Sequence, residues 1–569
     1  MHLFTIFSRL SAVLALAGTA QAASIPRQNE NEHTHVDEAE HKHDGRSIWN
    51  CNAYFFNHVL PQNAKLEKVQ IVAAGGTFGE GTSNIPYAVQ PTNLPPLCAI
   101  IVNVTSSPSS SYRFGLLLPN FWNSRFLAVG NGGFAGGINW LSAGSHTHYG
   151  FAVVSTDTGH NSSVIDATWA LNQPEKQADW GWRSLHGSVT LGKELTAAYY
   201  GSNVRYSYYS GCSTGGRQGM KEVQISPGSF DGALIGSSAW DTNNLNTYVT
   251  QLGIYNLPYG APNYINATRF PVIGAEVVAQ CDGADGVLDG IVSAPEKCNF
   301  DFSKLQCGSP SVVLNSSACF TAAQIQTMKN IYSDWRDNTT GEFLYSGLLM
   351  GSEDMWLAGT LLGYPQPSPF GIGFAQDFVY NDPTWQWQTF NDSIVATAQK
   401  VNPGQATADS YDLSAFRRRG GKLLMYHGLA DGLVPTKGSE LYYNRTQAKM
   451  GNNLGDFYRM FMIPGMQHCY NTAVDAPWYI NGEFQADLLG TGYWSVPGFA
   501  DAKHDALLAL MEWTERGEAP TEIIATTWNT PTNPLSGVLR QRPLCPYPQT
   551  AKWNSKFDIN LASSWYCSN

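Results

Sequence analysis

The chain has 569 residues, with 34 Lys and Arg against 45 Asp and Glu, for a formal net charge of −11. That balance argues against a polyanion binder, because nucleic-acid contacts rest on clustered Lys and Arg neutralising phosphates. With 43% hydrophobic, 14% charged and 12% aromatic residues, 55 glycines and 30 prolines, the composition is that of a large globular enzyme with long loops, and the length allows more than one domain.

Residues 1–22 read as a signal peptide: Arg9 precedes the apolar stretch Leu10 to Ala17, and Ala20-Gln21-Ala22 fits a small-x-small cleavage site. The alternative is a buried N-terminal helix. The apolar stretch is too short to span a bilayer, and no later run of about 18 apolar residues occurs, so a secreted, soluble mature protein with no membrane partner is expected. Residues 23–45 are polar; His33, His35, His41 and His43 can bind a metal, but a disordered pro-segment or tail is the preferred reading. Asn-x-Ser/Thr sequons begin at Asn103, Asn161, Asn266, Asn315, Asn338, Asn391 and Asn444, as in a secreted glycoprotein. An even set of ten cysteines points to five disulfides. Near neighbours pair as Cys51–Cys98, Cys281–Cys298, Cys307–Cys319 and Cys545–Cys567, which leaves Cys212 with Cys469.

The predicted elements follow an interrupted α/β rhythm. Strands are expected at 113–118, 126–129, 150–155 and 206–209, with helices at 182–200 and 217–225 around the last of them. Later strands are expected at 422–426 and 457–463, and a helix at 501–516. Buried strands alternating with helices predict a mostly parallel sheet covered by helices, the α/β class. Residues 46–240 and 409–569 would form this catalytic domain. Residues 241–408 break the rhythm; they hold four cysteines, an Asp/Gly loop and an aromatic tract (Trp356, Tyr364, Phe370, Phe374, Phe378, Tyr380, Trp385, Trp387, Phe390), and read as an inserted lid domain.

Three separated segments together make a hydrolase site. Gly211-Cys212-Ser213-Thr214-Gly215 is a G-x-S-x-G pattern between a predicted strand and a predicted helix, the context of a nucleophile elbow. Asp431 lies just beyond the strand at 422–426, where its carboxylate can orient a base imidazole. His468 sits in Pro464-Gly465-Met466-Gln467-His468-Cys469, a loop after a strand, and can carry the proton of Ser213. A bond between Cys212 and Cys469 needs Cα atoms about 4.4–6.8 Å apart, which brings Ser213 and His468 together. Upstream, the strand at 126–129 runs into Gly130-Asn131-Gly132-Gly133-Phe134-Ala135-Gly136-Gly137. Gly132 or Gly133 is the expected oxyanion donor, paired with Thr214; a dinucleotide loop is the weaker alternative because no complete GxGxxG enters a helix.

Cys281-Asp282-Gly283-Ala284-Asp285-Gly286-Val287-Leu288-Asp289-Gly290-Ile291 reads as a structural calcium loop outside the triad segments. Asp282, Asp285 and Asp289 would supply carboxylates, and Val287 and Ile291 carbonyls. It is not an EF-hand, and an acidic turn without metal is the alternative.

Gly211-Cys212-Ser213-Thr214-Gly215-Gly216-Arg217-Gln218-Gly219, with Asp431 and His468-Cys469, resembles the fungal tannase/feruloyl esterase family from about Cys51 to the C-terminus. The resemblance implies an α/β-hydrolase core with an inserted lid carrying a calcium site, a Ser-His-Asp triad beside a Cys-Ser/His-Cys disulfide, and no organic cofactor. It also implies an aromatic-acid ester as substrate, such as a feruloylated cell-wall polysaccharide. Thr214 and Gln218 look more like the feruloyl esterases than the tannases, whereas Tyr470-Asn471-Thr472-Ala473 departs from the Gly-rich stretch the family often carries after His-Cys. A tannase cleaving galloyl esters, a general aryl-ester carboxylesterase and a catalytically inactive binding protein are the other readings.

Overall fold

The computed structural model describes residues 49–315, 318–357, 365–490 and 493–569. The expected signal peptide, residues 23–45 and Tyr364 of the aromatic tract lie outside the described residues.

A nine-stranded sheet organises the chain. Its strands are β1 (Ala64–Val72), β2 (Leu97–Ser107), β3 (Ser110–Pro119), β4 (Arg125–Val129), β5 (Ala152–Thr156), β6 (Tyr206–Cys212), β7 (Gly232–Gly236), β8 (Lys422–Gly428) and β9 (Tyr458–Ile463). They lie in the order β1-β2-β3-β5-β4-β6-β7-β8-β9. The first three and β5 pair antiparallel, and every pair from β5 to β9 is parallel. The predicted strands appear with small shifts. β1, β2 and β7 were not anticipated, and β6 runs on through Cys212, so Ser213 directly follows its last residue.

Alternation of side chains splits the core in two, since successive strand residues face opposite sides of a sheet. Along β2, Ile100, Val102 and Val104 enter one cluster, and Leu97, Ala99 and Ile101 enter the other. Both faces are covered. Helices α1 (Ser184–Tyr200) and α2 (Thr214–Ile225) place Leu185, Val189, Leu195, Met220 and Val223 in the first cluster. A later helix, Ala506–Arg516, contributes Leu507, Leu510 and Trp513 to the second. Its start is set by Asp505, whose carboxylate accepts from the Leu507 and Leu508 amides, and its end by left-handed Gly517. The expected start at 501 is therefore five residues early.

Between β7 and β8 the chain leaves the sheet. Helix α3 (Thr242–Tyr255) and the segments after it gather around a third cluster that includes Tyr248, Phe270, Val277, Met328, Trp335 and Trp356. Phe374 and Phe378 instead join Phe134 and Trp180 in a small fourth cluster beside the glycine-rich loop. The C-terminal part adds an antiparallel hairpin, Ile523–Thr530 with Asn533–Leu544, that the sequence reading did not anticipate. A large mixed sheet with helices on both faces and a long excursion before its eighth strand is an α/β-hydrolase arrangement.

All ten cysteines are bonded, in the five pairs expected from the sequence. Among the described residues, no helix is long and apolar enough to cross a membrane.

Candidate active site

The predicted site residues collect at the carboxyl ends of the parallel strands, where open α/β sheets leave a crevice for ligands. Ser213 follows β6, Asp431 follows β8, His468 follows β9, and the glycine-rich loop follows β4.

Ser213 sits at the turn from β6 into α2 with φ 62° and ψ −124°, a left-handed conformation rare for a residue with a side chain. The turn is held by three backbone bonds: the Ser213 N–H donates to the Gly236 carbonyl, and its own carbonyl accepts from the Arg217 and Ala239 N–H groups. Close packing explains the small neighbours. A Cβ on Gly215 would lie 3.1 Å from the Asn131 carbonyl oxygen, and one on Gly130 would lie 2.6 Å from the Gly215 Cα. The strained elbow and the glycine-rich loop are thus pressed backbone to backbone. Gln218 locks them: its Oε1 accepts from the Asn131 N–H at 3.0 Å and its Nε2 donates to Asn131 Oδ1 at 3.2 Å.

Asp431 is fully buried and accepts four hydrogen bonds. Oδ1 receives the Leu433 and Val434 N–H groups, each at 2.9 Å. Oδ2 receives His468 Nδ1 at 2.7 Å and His427 Nε2 at 3.1 Å. Burial opposes the charge of this carboxylate, but the two histidines beside it and their hydrogen bonds outweigh burial and hold the carboxyl well below the usual range. It is an ionised, oriented acceptor. With Nδ1 donating to Asp431, the tautomer of neutral His468 leaves Nε2 as the basic atom. That Nε2 is buried and has no hydrogen-bond partner. The Ser213 hydroxyl and Nε2 are not hydrogen-bonded to each other here, a contact that is often looser before substrate arrives.

The Cys212–Cys469 bond holds the two loops at a Cα separation of 6.0 Å. Each cysteine is the immediate neighbour of a site residue, so Ser213 and His468 are tied to one point although their segments are 257 residues apart in the chain. The base loop has two further supports that the sequence did not reveal. Gln485 Nε2 donates to the Cys469 carbonyl at 3.1 Å, and Met355 Sδ, from the excursion, accepts the His468 N–H at 3.2 Å.

The expected oxyanion donors are placed unequally. Thr214 is the first residue of α2, where a backbone N–H has no carbonyl of a preceding turn to meet. The Gly132 N–H donates to the Tyr87 hydroxyl at 2.9 Å, a partner absent from the sequence reading. Gly133 has φ 52°, and a Cβ there would lie 2.4 Å from the Val164 carbonyl oxygen and 2.9 Å from the Phe370 ring. Phe134 follows, packed against Phe370 and Phe378 of the excursion with ring centroids 5.7 and 5.2 Å away.

The Asp/Gly loop belongs to the excursion, and its last residue, Ile291, packs beside Gly465 at the start of the loop that carries His468. Asp282 Oδ1 accepts from the Asp289 and Ile291 amides, and Asp285 Oδ1 accepts from Val287. Asp289 Oδ2 pairs with Arg542 of the C-terminal hairpin. The donors have the all-oxygen chemistry that suits a hard cation. However, among the described residues no three acidic, His or Cys groups are gathered closely enough to hold a metal ion.

Comparison with known proteins agrees with this geometry. The family described as tannase and feruloyl esterase matches residues 98–568. The Aspergillus terreus protein named probable feruloyl esterase B-1 is 35% identical over 475 residues, covering 83% of this chain and 86% of that protein. The crystal structure of feruloyl esterase B from Aspergillus oryzae aligns with a TM-score of 0.82 at 30% identity, over 92% of this chain and all of that one. Tannin acyl hydrolase from Aspergillus niger shares the fold at a TM-score of 0.70 and 20% identity, over 91% of this chain and 95% of that one. The chain belongs to the tannase and feruloyl esterase family and is a carboxylic ester hydrolase.

Proposed function

We propose that this protein is a secreted serine esterase that releases hydroxycinnamic acids, such as ferulate, from their esters on plant cell-wall polysaccharide. The observation that carries the reading is the Asp431–His468 hydrogen bond of 2.7 Å beside a disulfide joining the neighbours of Ser213 and His468. Relatives named feruloyl esterase B support the choice of acyl group.

In this reading His468 Nε2 takes the proton of Ser213 Oγ as that oxygen attacks the ester carbonyl. Asp431 holds the imidazole in the required tautomer and stabilises the cation that forms. The Thr214 N–H and a glycine N–H from the loop after β4 stabilise the oxyanion. Gly132 would exchange its Tyr87 partner for the substrate oxygen; Gly133 is the other candidate. Collapse of the intermediate passes the proton to the leaving alcohol and leaves an acyl-Ser213. Water, deprotonated by His468, then releases the acid and regenerates the hydroxyl.

Secretion is supported by five disulfides, which persist in oxidising compartments, and by sequon asparagines at the surface: Asn161, Asn266, Asn315, Asn338, Asn391 and Asn444 are all exposed. The stretch 241–408 would act as the lid over the crevice. Calcium at Asp282, Asp285, Asp289, Val287 and Ile291 belongs to the same proposal as a purely structural ion; its binding requires the three carboxylates, which are not gathered around one point here, to draw together and Asp289 to exchange Arg542 for the metal.

The test is parallel hydrolysis of methyl ferulate, methyl caffeate, methyl gallate and 4-nitrophenyl acetate by the wild type and Ser213→Ala. Hydroxycinnamate turnover with little gallate turnover, lost in the variant, is the expected result. Gallate preference would make the protein a tannase with the same triad. Activity surviving in Ser213→Ala would overturn the mechanism.

A further inference from the structure

His427, the sixth residue of β8, is buried, and both ring nitrogens are engaged. Nε2 lies 3.1 Å from Asp431 Oδ2 and 3.0 Å from the Val434 carbonyl oxygen. Both are acceptors, so Nε2 carries a hydrogen. Nδ1 lies 2.8 Å from the hydroxyl of Ser439 on the helix Thr436–Met450. In the neutral ring, Nδ1 accepts that hydroxyl proton. A buried histidine with satisfied nitrogens is often only part of a core. What distinguishes this one is its choice of partner, because Oδ2 is also the oxygen that orients His468.

From this shared oxygen we infer that His427 is a positioning residue of the esterase site, holding Asp431 Oδ2 in place and limiting the negative charge it presents to His468. The inference rests on the triad reading above. Two backbone amides hold Oδ1, but they leave the carboxylate free to pivot about that oxygen. His427 fixes the other end of the carboxylate and thereby the aim of Oδ2 at Nδ1. Ser439 in turn fixes the ring plane of His427. Because Oδ2 divides its charge between two N–H donors, the pull on the imidazolium formed during acylation is tempered.

Asp431 and His468 face this assembly from their loops. Tyr345 approaches from the excursion, and burial, with Asp241 and Asp431 adding to it, pushes its hydroxyl far up, so it remains neutral. Lys437, on the helix of Ser439, pairs with Asp334 at 3.8 Å instead.

The experiment compares His427→Leu, His427→Gln and Ser439→Ala with the wild type in kcat, KM and the pH dependence of kcat/KM on the ester that the panel selects. Leu removes the donor, and a fall in kcat of about thirtyfold with KM within about twofold is expected. The acidic limb of the profile should move to higher pH, because Oδ2 then spends its charge on the His468 cation alone. Gln restores an N–H donor and should recover most of the rate. Ser439→Ala should cause a smaller loss, about threefold, with the same direction of pH shift. A folded His427→Leu protein with wild-type kcat and profile overturns the inference. So does equal impairment of Leu and Gln with an unmoved profile, the signature of packing alone. If His427→Leu does not fold, unmoved profiles in both remaining variants overturn it. The Ser213→Ala control separates the two levels: an active control removes the triad, whereas an inactive control beside normal His427 variants removes only the positioning role.

Discussion

Replacing both Cys212 and Cys469 by alanine tests whether one covalent bond serves the fold and the site together. The bond closes a loop of 257 residues. In the chain-entropy treatment, the lost closure entropy of such a loop is about 18.6 cal/mol/K, or about 5.5 kcal/mol at 25 °C. The Cys281–Cys298 and Cys307–Cys319 bonds shorten the loop through spans of 17 and 12 residues. That trims the figure by only about 0.1 kcal/mol, since closure entropy grows with the logarithm of length. Residues Gly45–Asn569 form one compact unit of about 520 residues. At about 2.1 cal/mol/K per residue its unfolding entropy is about 1.1 kcal/mol/K, so the double variant should melt about 5 °C lower. The catalytic effect should be larger than so small a shift implies. At 25 °C, well below either midpoint, kcat should fall about tenfold or more, because Ser213 and His468 lose their common anchor. Scanning calorimetry and initial rates on the same samples measure both quantities. A lower Tm with unchanged kcat would refute the positioning argument, and an unchanged Tm would refute the entropic one.

Asp431→Asn replaces an acceptor of four N–H groups with an amide that cannot accept at both ends, so kcat should fall about 10⁴-fold, as tautomer control is lost. Gly130→Ala would place a Cβ 2.5 Å from the Tyr209 hydroxyl and 2.6 Å from the Gly215 Cα; the loop must shift, and rate measurements should find kcat reduced about tenfold or more in soluble protein. Burial raises the Glu483 carboxyl to about 8, against about 4.3 in the unfolded chain, so the folded state holds this proton more tightly and its contribution to stability falls as pH rises between those values. Urea unfolding at pH 5 and 7.5 should therefore show Glu483→Gln losing less stability across that interval than the wild type, by at most about 1.4 kcal/mol per pH unit. For the Asp loop, titration calorimetry with calcium should show one site in the wild type and none in Asp285→Ala; heat-free titration of the wild type would remove the metal from the proposal.

The parts of the site that could be read in advance were those written in local sequence. Ser213, Asp431 and His468 each stand just past a buried strand, and the strand end, more than the residue, is what places them at the crevice. The cysteines carried long-range information that side chains rarely offer, because only one partner remained for Cys212 once near neighbours were paired. What stayed hidden was contact without local signature. Tyr87 meets Gly132 across 45 positions, and Gln485 supports Cys469 from the start of a helix, Gln485–Leu489, too short for periodicity to mark. β1 was hidden for a different reason: Lys65, Glu67, Lys68 and Gln70 make it read as a surface segment, yet as an antiparallel edge strand it needs only one apolar side. His427 is the instructive case. It stands four residues before Asp431, near the end of the strand that leads to the acid, and its spacing alone could equally place it in a core. Only the choice of oxygen, Oδ2 rather than Oδ1, separates a packed histidine from one that acts on the base, and that choice is a matter of three-dimensional geometry.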